Sequence, residues 1–347
     1  MSSRRGYPGD YEAARSPRSG DAWLPLFVLA LATFLGSLLI LTDAVIPGAG
    51  RRGEASAFVG QRAEGTQPPR DASAGSAAPG IGATDATLGD PPAVAPAWDD
   101  MRLRRSIEDA LGPDIAHVSV VVRRLADGRA AAVNGDHVYY AASTFKLAIL
   151  YEAERRRSTG ELDVDSVIYM DGEDLTEDLG TLDRVVFEAD GGIRVRAALE
   201  AMTTYSDNSS AVALLHLLGG SAIDESLRAL GLHATSVNTR DLPTTADDLA
   251  LLMQAIVQGR GVSREARDEM RSFLLNQRTR DGIPAGLPSH VAVGNKTGTW
   301  ENATHDVAFV DAPNGVYVIV ILSDQGWAWE PIRRVSKAVF REMSASR

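Results

Sequence analysis

The stretch YAASTFKLAIL at residues 140–150 stands where a strand pattern changes to a long helical one. Before it, HVSVVVRR at 117–124 and the segment 129–133 predict a hairpin that turns at Asp127-Gly128. After it, the apolar spacing predicts a series of helices, over 143–157, 195–203, 208–218, 222–230, 246–258 and 264–276.

Strands return only near the end of the chain, where the pattern predicts them over 290–295, 303–311 and 316–323. Two further predicted helices, over 99–111 and 330–343, open and close this part of the chain. Strands at both ends with helices between them predict an α+β fold, in which both ends form one antiparallel sheet around an inserted helical lobe. A cleft between two lobes is a common place for a ligand.

Ser143 and Lys146 lie at the start of the first long helix, three residues apart and therefore on one helix face. A serine hydroxyl becomes a nucleophile when a base removes its proton, and a desolvated lysine can be that base. The helix N-terminus would stabilise negative charge that develops there. Alone, the pair also fits a serine cap followed by a surface lysine.

Lysine usage favours the catalytic interpretation. Lys146, Lys296 and Lys337 are the only lysines among 35 basic residues, and the others are arginines. Because arginine cannot be deprotonated in proteins, it cannot replace a lysine that works as a base.

Two further motifs follow in the chain: the second begins 63 residues after Ser143, and the third begins 90 residues after the second. Ser206-Asp207-Asn208 lies between two predicted helices, where it suits a helix cap or a proton-relaying hydroxyl beside a substrate-binding amide. Lys296-Thr297-Gly298 follows an apolar strand, where the lysine offers positive potential to a carboxylate and the glycine lets a ligand approach the strand. The occurrence of these two motifs after Ser143 and Lys146 favours the catalytic interpretation over the purely structural one.

With S-x-x-K, S-D-N and K-T-G in this order, the chain resembles the class A β-lactamase-like serine hydrolases, the penicillin-recognising enzymes. The resemblance extends over nearly all of residues 99–347 and includes MTTYSDNSSAVALL at 202–215 and GLPSHVAVGNKTGTW at 286–300. It implies an α/β sandwich with an inserted all-helical lobe, in agreement with the two-lobed prediction.

The resemblance also implies roles for individual residues. Ser143 would be the acylated nucleophile, Lys146 its base or proton relay, and Ser206 a proton shuttle near the second lysine. The backbone N–H groups of Ser143 and Thr299 would form the oxyanion hole. The implied substrate-binding residues are Asn208, Lys296, Thr297, Gly298 and Thr299.

One segment departs from the family pattern. Family lactamases carry E-x-x-L-N between the second and third motifs, and its glutamate activates the deacylating water. The matching segment here, GLHATSVNTRDLPTTADDLA at 231–250, is shorter and contains no glutamate. Asn238, or a carboxylate of the acidic run Asp171 to Asp178, remains as an alternative, although that run is typical of a solvated loop.

Three functions therefore stay open: a β-lactam hydrolase with acylation at Ser143 and doubtful deacylation, a D-alanyl-D-alanine peptidase, or a receptor that is acylated without turnover. The expected substrate is a small β-lactam or a cell-wall peptide, and we expect a monomer.

The N-terminal part predicts a membrane anchor. Residues 22–42 (AWLPLFVLALATFLGSLLILT) contain no charge and would span about 31 Å as a helix. Arginines before this span place residues 1–21 in the cytoplasm as a tail. Residues 43–97 are rich in Ala, Gly, Pro and Ser and predict a disordered tether to an extracytoplasmic domain at 98–347. A cleaved signal peptide is the competing interpretation.

Charge and composition exclude several classes of function. The net charge of −11 argues against a nucleic-acid partner. The chain contains no cysteine, which removes disulfides, zinc ribbons and thiol nucleophiles. Because the histidines show no H-x-H or H-E-x-x-H spacing, we expect no metal and no cofactor.

Overall fold

A computed structural model describes residues 98–345 of the chain. The predicted tail (1–21), membrane anchor (22–42) and tether (43–97) lie outside the described residues. No helix within 98–345 is long and apolar enough to cross a membrane.

Nine α-helices lie within this part of the chain: α1 Met101–Leu111, α2 Lys146–Thr159, α3 Gly172–Thr176, α4 Val195–Thr204, α5 Asn208–Leu218, α6 Gly220–Ala229, α7 Ala246–Gln258, α8 Arg264–Leu275 and α9 Trp329–Ser344. Short 3₁₀ turns occupy Gly112–Ala116, Ala142–Phe145, Leu182–Arg184 and Ile283–Gly286. Side chains cap several helices as the sequence requires: Asp100 accepts hydrogen bonds from the first turn of α1, and Asp207 does so for α5.

The strands of the described residues are β1 Trp98–Asp99, β2 Val118–Arg124, β3 Arg129–Val133, β4 Val138–Tyr140, β5 Val167–Ile168, β6 Ile193–Arg194, β7 Pro243–Thr245, β8 Val293–Trp300, β9 Ala303–Ala312 and β10 Gly315–Ser323. Six of them form one sheet in the order β1-β3-β2-β10-β9-β8. All neighbours run antiparallel except β1 and β3, which are parallel.

The sheet confirms the prediction that both ends of the domain build it. β2 from the first half pairs with β10 from the last, with Val120 opposite Ile321. The helices α2 to α8 and two small two-stranded sheets, β4-β7 and β5-β6, lie between these halves in sequence. The third motif lies in β8, which is an edge strand of the six-stranded sheet.

Both faces of the sheet are buried because β10 alternates apolar side chains between two cores. Ile319 and Ile321 pack with α1 and α9, whereas Val318 and Val320 pack with the helices of the inserted lobe. Full burial of one such side chain stabilises the fold by about 1.5–3 kcal/mol, so the sheet is a firm base for residues on its edge.

Three predicted boundaries were wrong. Ser143 does not begin an α-helix but lies in a 3₁₀ turn, and α2 begins at Lys146. The first helix does not start at Asp99, because that residue pairs in β1 and Asp100 is the cap. The strand predicted over 290–295 runs over Val293–Trp300 and so includes the third motif.

The acidic run Asp171 to Asp178 is also more ordered than the predicted solvated loop. Asp171 and Asp174 form a reciprocal capping box at the start of α3, which explains why acidic residues cluster there. The side chain of Asp174 is buried and contacts His216 of α5 at 3.2 Å.

Candidate active site

The predicted nucleophile lies on a tight turn between β4 and α2. Ala142, immediately before Ser143, has a left-handed φ of 43° although it is not glycine. Such a backbone conformation costs about 1–3 kcal/mol and persists only where the surrounding structure enforces it. Ser143 itself is partly exposed at this turn.

Neighbouring segments hold the turn in place. The Ala141 N–H donates to the carbonyl oxygen of Leu242 at 2.8 Å, which ties the turn to the segment that precedes β7. The His305 ring donates from Nε2 to the carbonyl of Tyr140 at 2.8 Å, while its Nδ1 accepts from the Ser323 N–H at 3.3 Å. Burial lowers the pKa of His305 to about 4, so the ring is neutral and this tautomer is fixed by its two partners.

Lys146 is buried below the turn, with 1% of its side chain exposed. Its Nζ lies 2.6 Å from the Ser206 carbonyl oxygen, 2.5 Å from Asn208 Oδ1 and 3.3 Å from Ser206 Oγ. Burial lowers the pKa of Lys146 to about 7, although the negative charge of Asp207 raises it in part. A neutral amine has two N–H groups, which suit the two carbonyl-type oxygens, and one lone pair that can accept a proton from a hydroxyl.

Ser206 presents its hydroxyl from a left-handed position, with φ of 62°, just before α5. The next residue, Asp207, caps α5 by accepting a hydrogen bond from the Ser210 N–H at 2.6 Å. The predicted cap and the predicted relay geometry therefore occur together in one motif. Asn208, the first residue of α5, directs its amide oxygen to Lys146.

Lys296 reaches the same hydroxyl from the edge strand β8. Its fully buried Nζ donates to Ser206 Oγ at 2.9 Å and to the carbonyl oxygen of Thr297 at 2.8 Å. Burial, and then the nearby ammonium of Lys146, hold the pKa of Lys296 well below its usual value, while Asp306 opposes them. The Ser206 hydroxyl thus lies between two amines, an arrangement that can pass a proton from one amine to the other.

Gly298 has a different structural role from the one the sequence suggests. A Cβ on this residue would lie 3.0 Å from the carbonyl oxygen of Ala141 and 3.1 Å from the backbone nitrogen of Ser143. The glycine therefore lets β8 approach the nucleophile turn itself. The neighbouring Thr299 is partly exposed and directly follows the glycine that contacts this turn.

Thr297 is buried in β8, opposite Asp306 of β9. Asp306 accepts hydrogen bonds from Asn295 Nδ2 at 2.9 Å and from the Ile283 N–H at 2.7 Å. Burial raises the pKa of Asp306 to about 7. This carboxylate joins β8, β9 and a 3₁₀ turn beneath the third motif.

The sequence reasoning missed His305 and Asp306 as supports of the site. Their signal was available, because both polar side chains directly precede the apolar run VAFV at 307–310 of the same strand. Asn238, the polar candidate from the shortened segment, does not join the motif residues: it is exposed, and its Nδ2 donates to Ser221 Oγ of α6 at 3.0 Å.

Within residues 98–345, no group of three or more His, Asp or Glu side chains is placed to hold a metal ion.

Comparisons with known proteins agree with this geometry. A model of the β-lactamase enzyme family matches residues 102–343. The β-lactamase AST-1 of Nocardia asteroides is 34% identical over 203 residues, which cover 53% of this chain and 63% of that enzyme. The chain thus spans less than two thirds of that relative's length.

Solved structures share the fold over the described part. A mutant of PBP-A in an acyl-enzyme complex with penicillin G is 26% identical, covers 71% of this chain and 98% of its own, and has a TM-score of 0.66. An ancestral class A β-lactamase is 26% identical to this chain and has a TM-score of 0.63. The match covers 69% of this chain and 99% of that enzyme. The family match, the shared fold and the three assembled motifs lead to one conclusion: the chain belongs to the β-lactamase enzyme family and is a class A β-lactamase-like serine enzyme.

Proposed function

We propose that the protein is a serine hydrolase that opens β-lactam amides through an acyl-enzyme on Ser143 and releases the acyl group slowly. The observation that carries the proposal is the Ser206 hydroxyl held between two buried lysines, one of which has a pKa of about 7. A lysine that is neutral near pH 7 is what an unactivated serine nucleophile requires.

We assign the acylation roles as the resemblance implies them, with Lys146 at the start of the helix that follows the Ser143 turn. Lys146 takes the proton of the Ser143 hydroxyl as its oxygen attacks the lactam carbonyl carbon. The backbone N–H groups of Ser143 and Thr299 receive the developing oxyanion, an interaction worth a few kcal/mol in the transition state. Ser206 then passes a proton to the lactam nitrogen as the amide bond breaks. Thr297 helps to hold the substrate carboxylate, beside the buried amine of Lys296.

The relatives support the β-lactam as substrate class. AST-1 is named a β-lactamase, and the PBP-A mutant forms an acyl-enzyme with penicillin G. This chain shares the fold of the PBP-A structure, and the lysines of its first and third motifs both contact the Ser206 hydroxyl of the second.

Slow release follows from the shortened segment at 231–250. It contains no glutamate, and the amide of Asn238 is bound to Ser221. General-base assistance is typically worth about 10²- to 10⁴-fold in rate. Without the family's glutamate, we expect the acyl-enzyme to accumulate.

A D-alanyl-D-alanine peptidase is the second candidate, and the edge position of β8 favours it. One side of β8 pairs with β9, whereas its other side has no strand partner within residues 98–345. An extended cell-wall peptide can pair with such an edge.

We further propose that residues 22–42 anchor the protein in the cell membrane as a single span, with the catalytic domain outside the cytoplasm. The uncharged span and the arginines before it support this placement. Antibiotics and cell-wall peptides are present on that side.

A nitrocefin time course beside mass spectrometry of the intact protein tests the proposed hydrolase. We expect a burst close to one equivalent, then a low steady rate, with the acylated protein dominating the mass spectrum. Fast turnover with no accumulated adduct would contradict slow release. Release of D-alanine from a D-alanyl-D-alanine peptide without any reaction with nitrocefin would favour the second candidate.

A further inference from the structure

Strand β8 places three residues of one face in a row beside the nucleophile. Side chains alternate between the two faces of a strand, so Lys296, Gly298 and Trp300 share a face. On this face Lys296 Nζ donates to Ser206 Oγ at 2.9 Å, and a Cβ on Gly298 would lie 3.1 Å from the Ser143 nitrogen. A strand rises about 3.4 Å per residue, so Trp300 lies about 7 Å further along the strand than Gly298.

The indole ring of Trp300 meets a second aromatic ring from the segment that leads into the nucleophile turn. Its centroid lies 6.4 Å from that of the Tyr140 ring, and the two ring planes are tilted by 59°. Tyr140 ends β4 three residues before Ser143, and His305 Nε2 donates to its carbonyl oxygen at 2.8 Å. The ring pair therefore joins the end of β8 to the start of the turn that presents the nucleophile.

Both rings of this pair are left partly open to solvent. The exposed fraction is 45% for Trp300 and 37% for Tyr140. Removal of apolar surface from water is favourable, and an aromatic ring packs well against another ring in a tilted or offset geometry. The pair thus offers a surface that suits a flat apolar group.

The order of the other groups along β8 determines which part of a substrate reaches this pair. In the proposed acylation, Thr297 holds the carboxylate on the leaving-group side, and the N–H of Thr299 binds the carbonyl oxygen. A substrate bound along this edge therefore runs from its leaving group near Thr297 to its carbonyl near Thr299. The substituent on the acyl side of the carbonyl continues towards Trp300, the next residue of the strand.

We propose that Trp300 and Tyr140 form an aromatic subsite that binds the acyl side of the substrate and selects substrates with an aromatic side chain there. This inference rests on the proposed acyl-enzyme. The motif residues contact the carboxylate and the lactam carbonyl, which all penicillins share, so they do not distinguish one side chain from another. The ring pair takes no part in the bond changes and acts on specificity.

The test compares two substrates that differ by one ring. Penicillin G has a phenylacetamido side chain, whereas 6-acetamidopenicillanic acid keeps the fused rings, the carboxylate and the side-chain amide but lacks the phenyl group. The rate of acylation of the full chain is measured for each by intact mass at several concentrations. We expect the wild type to react about tenfold faster with penicillin G.

Variants at Trp300 assign this preference to its ring. Trp300→Ala should lower the ratio of the two rates to about one, whereas Trp300→Phe keeps a ring and should retain about half of the preference. Phe340→Ala is the matched control, because it removes a partly buried ring of α9 that packs with α1 on the other face of the sheet. Its ratio should equal that of the wild type.

The ratio separates specificity from a purely structural effect, since a displaced β8 would slow both substrates alike. Tyr140→Leu removes the other ring and should also lower the ratio, which keeps the test decisive if Trp300→Ala does not fold. Equal slowing of both substrates, or an unchanged ratio in these variants, overturns the subsite. A wild-type ratio near one, with a normal adduct on Ser143, overturns the subsite alone. Absence of an adduct from either penicillin overturns the proposed function as well.

Discussion

The pKa of Lys146 leads to a quantitative prediction about acylation. With its pKa lowered to about 7, half of the Lys146 amines are neutral at pH 7. At the ordinary lysine pKa of 10.5 the neutral fraction would be roughly one in three thousand. Because only the neutral amine accepts the Ser143 proton, acylation should fall as the pH drops below 7. We expect a rate about 50-fold lower at pH 5 than at pH 7.

Lys146→Arg tests the same reasoning without removing the charge. Arginine stays protonated, so the variant should lose about 10²- to 10⁴-fold in the rate of labelling by a fluorescent penicillin. Lys337→Arg is the matched control, since that lysine is exposed on α9 and should label at the wild-type rate. A flat rate between pH 5 and pH 8, or wild-type labelling of Lys146→Arg, would refute the general-base role.

Three other predictions follow from the structure. Gly298→Ala should slow labelling at least about tenfold, because its Cβ would press on the Ala141 carbonyl and the Ser143 nitrogen, while overpacking costs about 1–3 kcal/mol of stability; unchanged labelling in a folded variant contradicts this. Burial raises the pKa of Glu154 from 4.5 to about 7, so the folded protein binds this proton more tightly and loses stability as the pH rises from 4.5 through 7. Glu154→Gln should remove that loss, amounting to roughly 3 kcal/mol at pH 8 by urea unfolding, and an unchanged pH dependence would disprove it. Protease added to intact spheroplasts should release a fragment beginning within residues 43–97, whereas protection of the domain excludes the proposed orientation.

Much of the fold could be predicted because local patterns and final structure agree. The apolar run of β10 predicts a strand that is buried on both faces. In the structure its side chains point alternately into two cores, Val318 into one and Ile319 into the other. Gly219, next to the end of a helical pattern, terminates α5. Boundaries failed where a tertiary contact decides the backbone. The left-handed conformation of Ala142 depends on the contacts of its turn with the segment before β7 and with β9.

The site was predictable to the extent that its chemistry restricts residue type. A lysine that must lose its proton cannot be arginine, and in a chain rich in arginine this marked Lys146 and Lys296. His305 gave no comparable signal. Histidine has many structural uses, and the hydrogen bond of this residue to the Tyr140 carbonyl arises only when distant segments pack together.

Gly298 shows a further limit of the sequence. The sequence suggested a glycine that leaves room for a ligand, whereas the structure requires it for the contact between β8 and the backbone of Ser143. Both interpretations predict intolerance of a side chain, and only the three-dimensional distances separate them.

The most direct test of the central claim is mass spectrometry of the protein after brief exposure to penicillin G, followed by peptide mapping of the adduct. We predict one penicilloyl group per chain, attached to the peptide that contains Ser143, persisting for minutes and absent from Ser143→Ala. An unmodified wild-type protein, or an adduct that remains in Ser143→Ala, would contradict the assignment of this serine as the nucleophile.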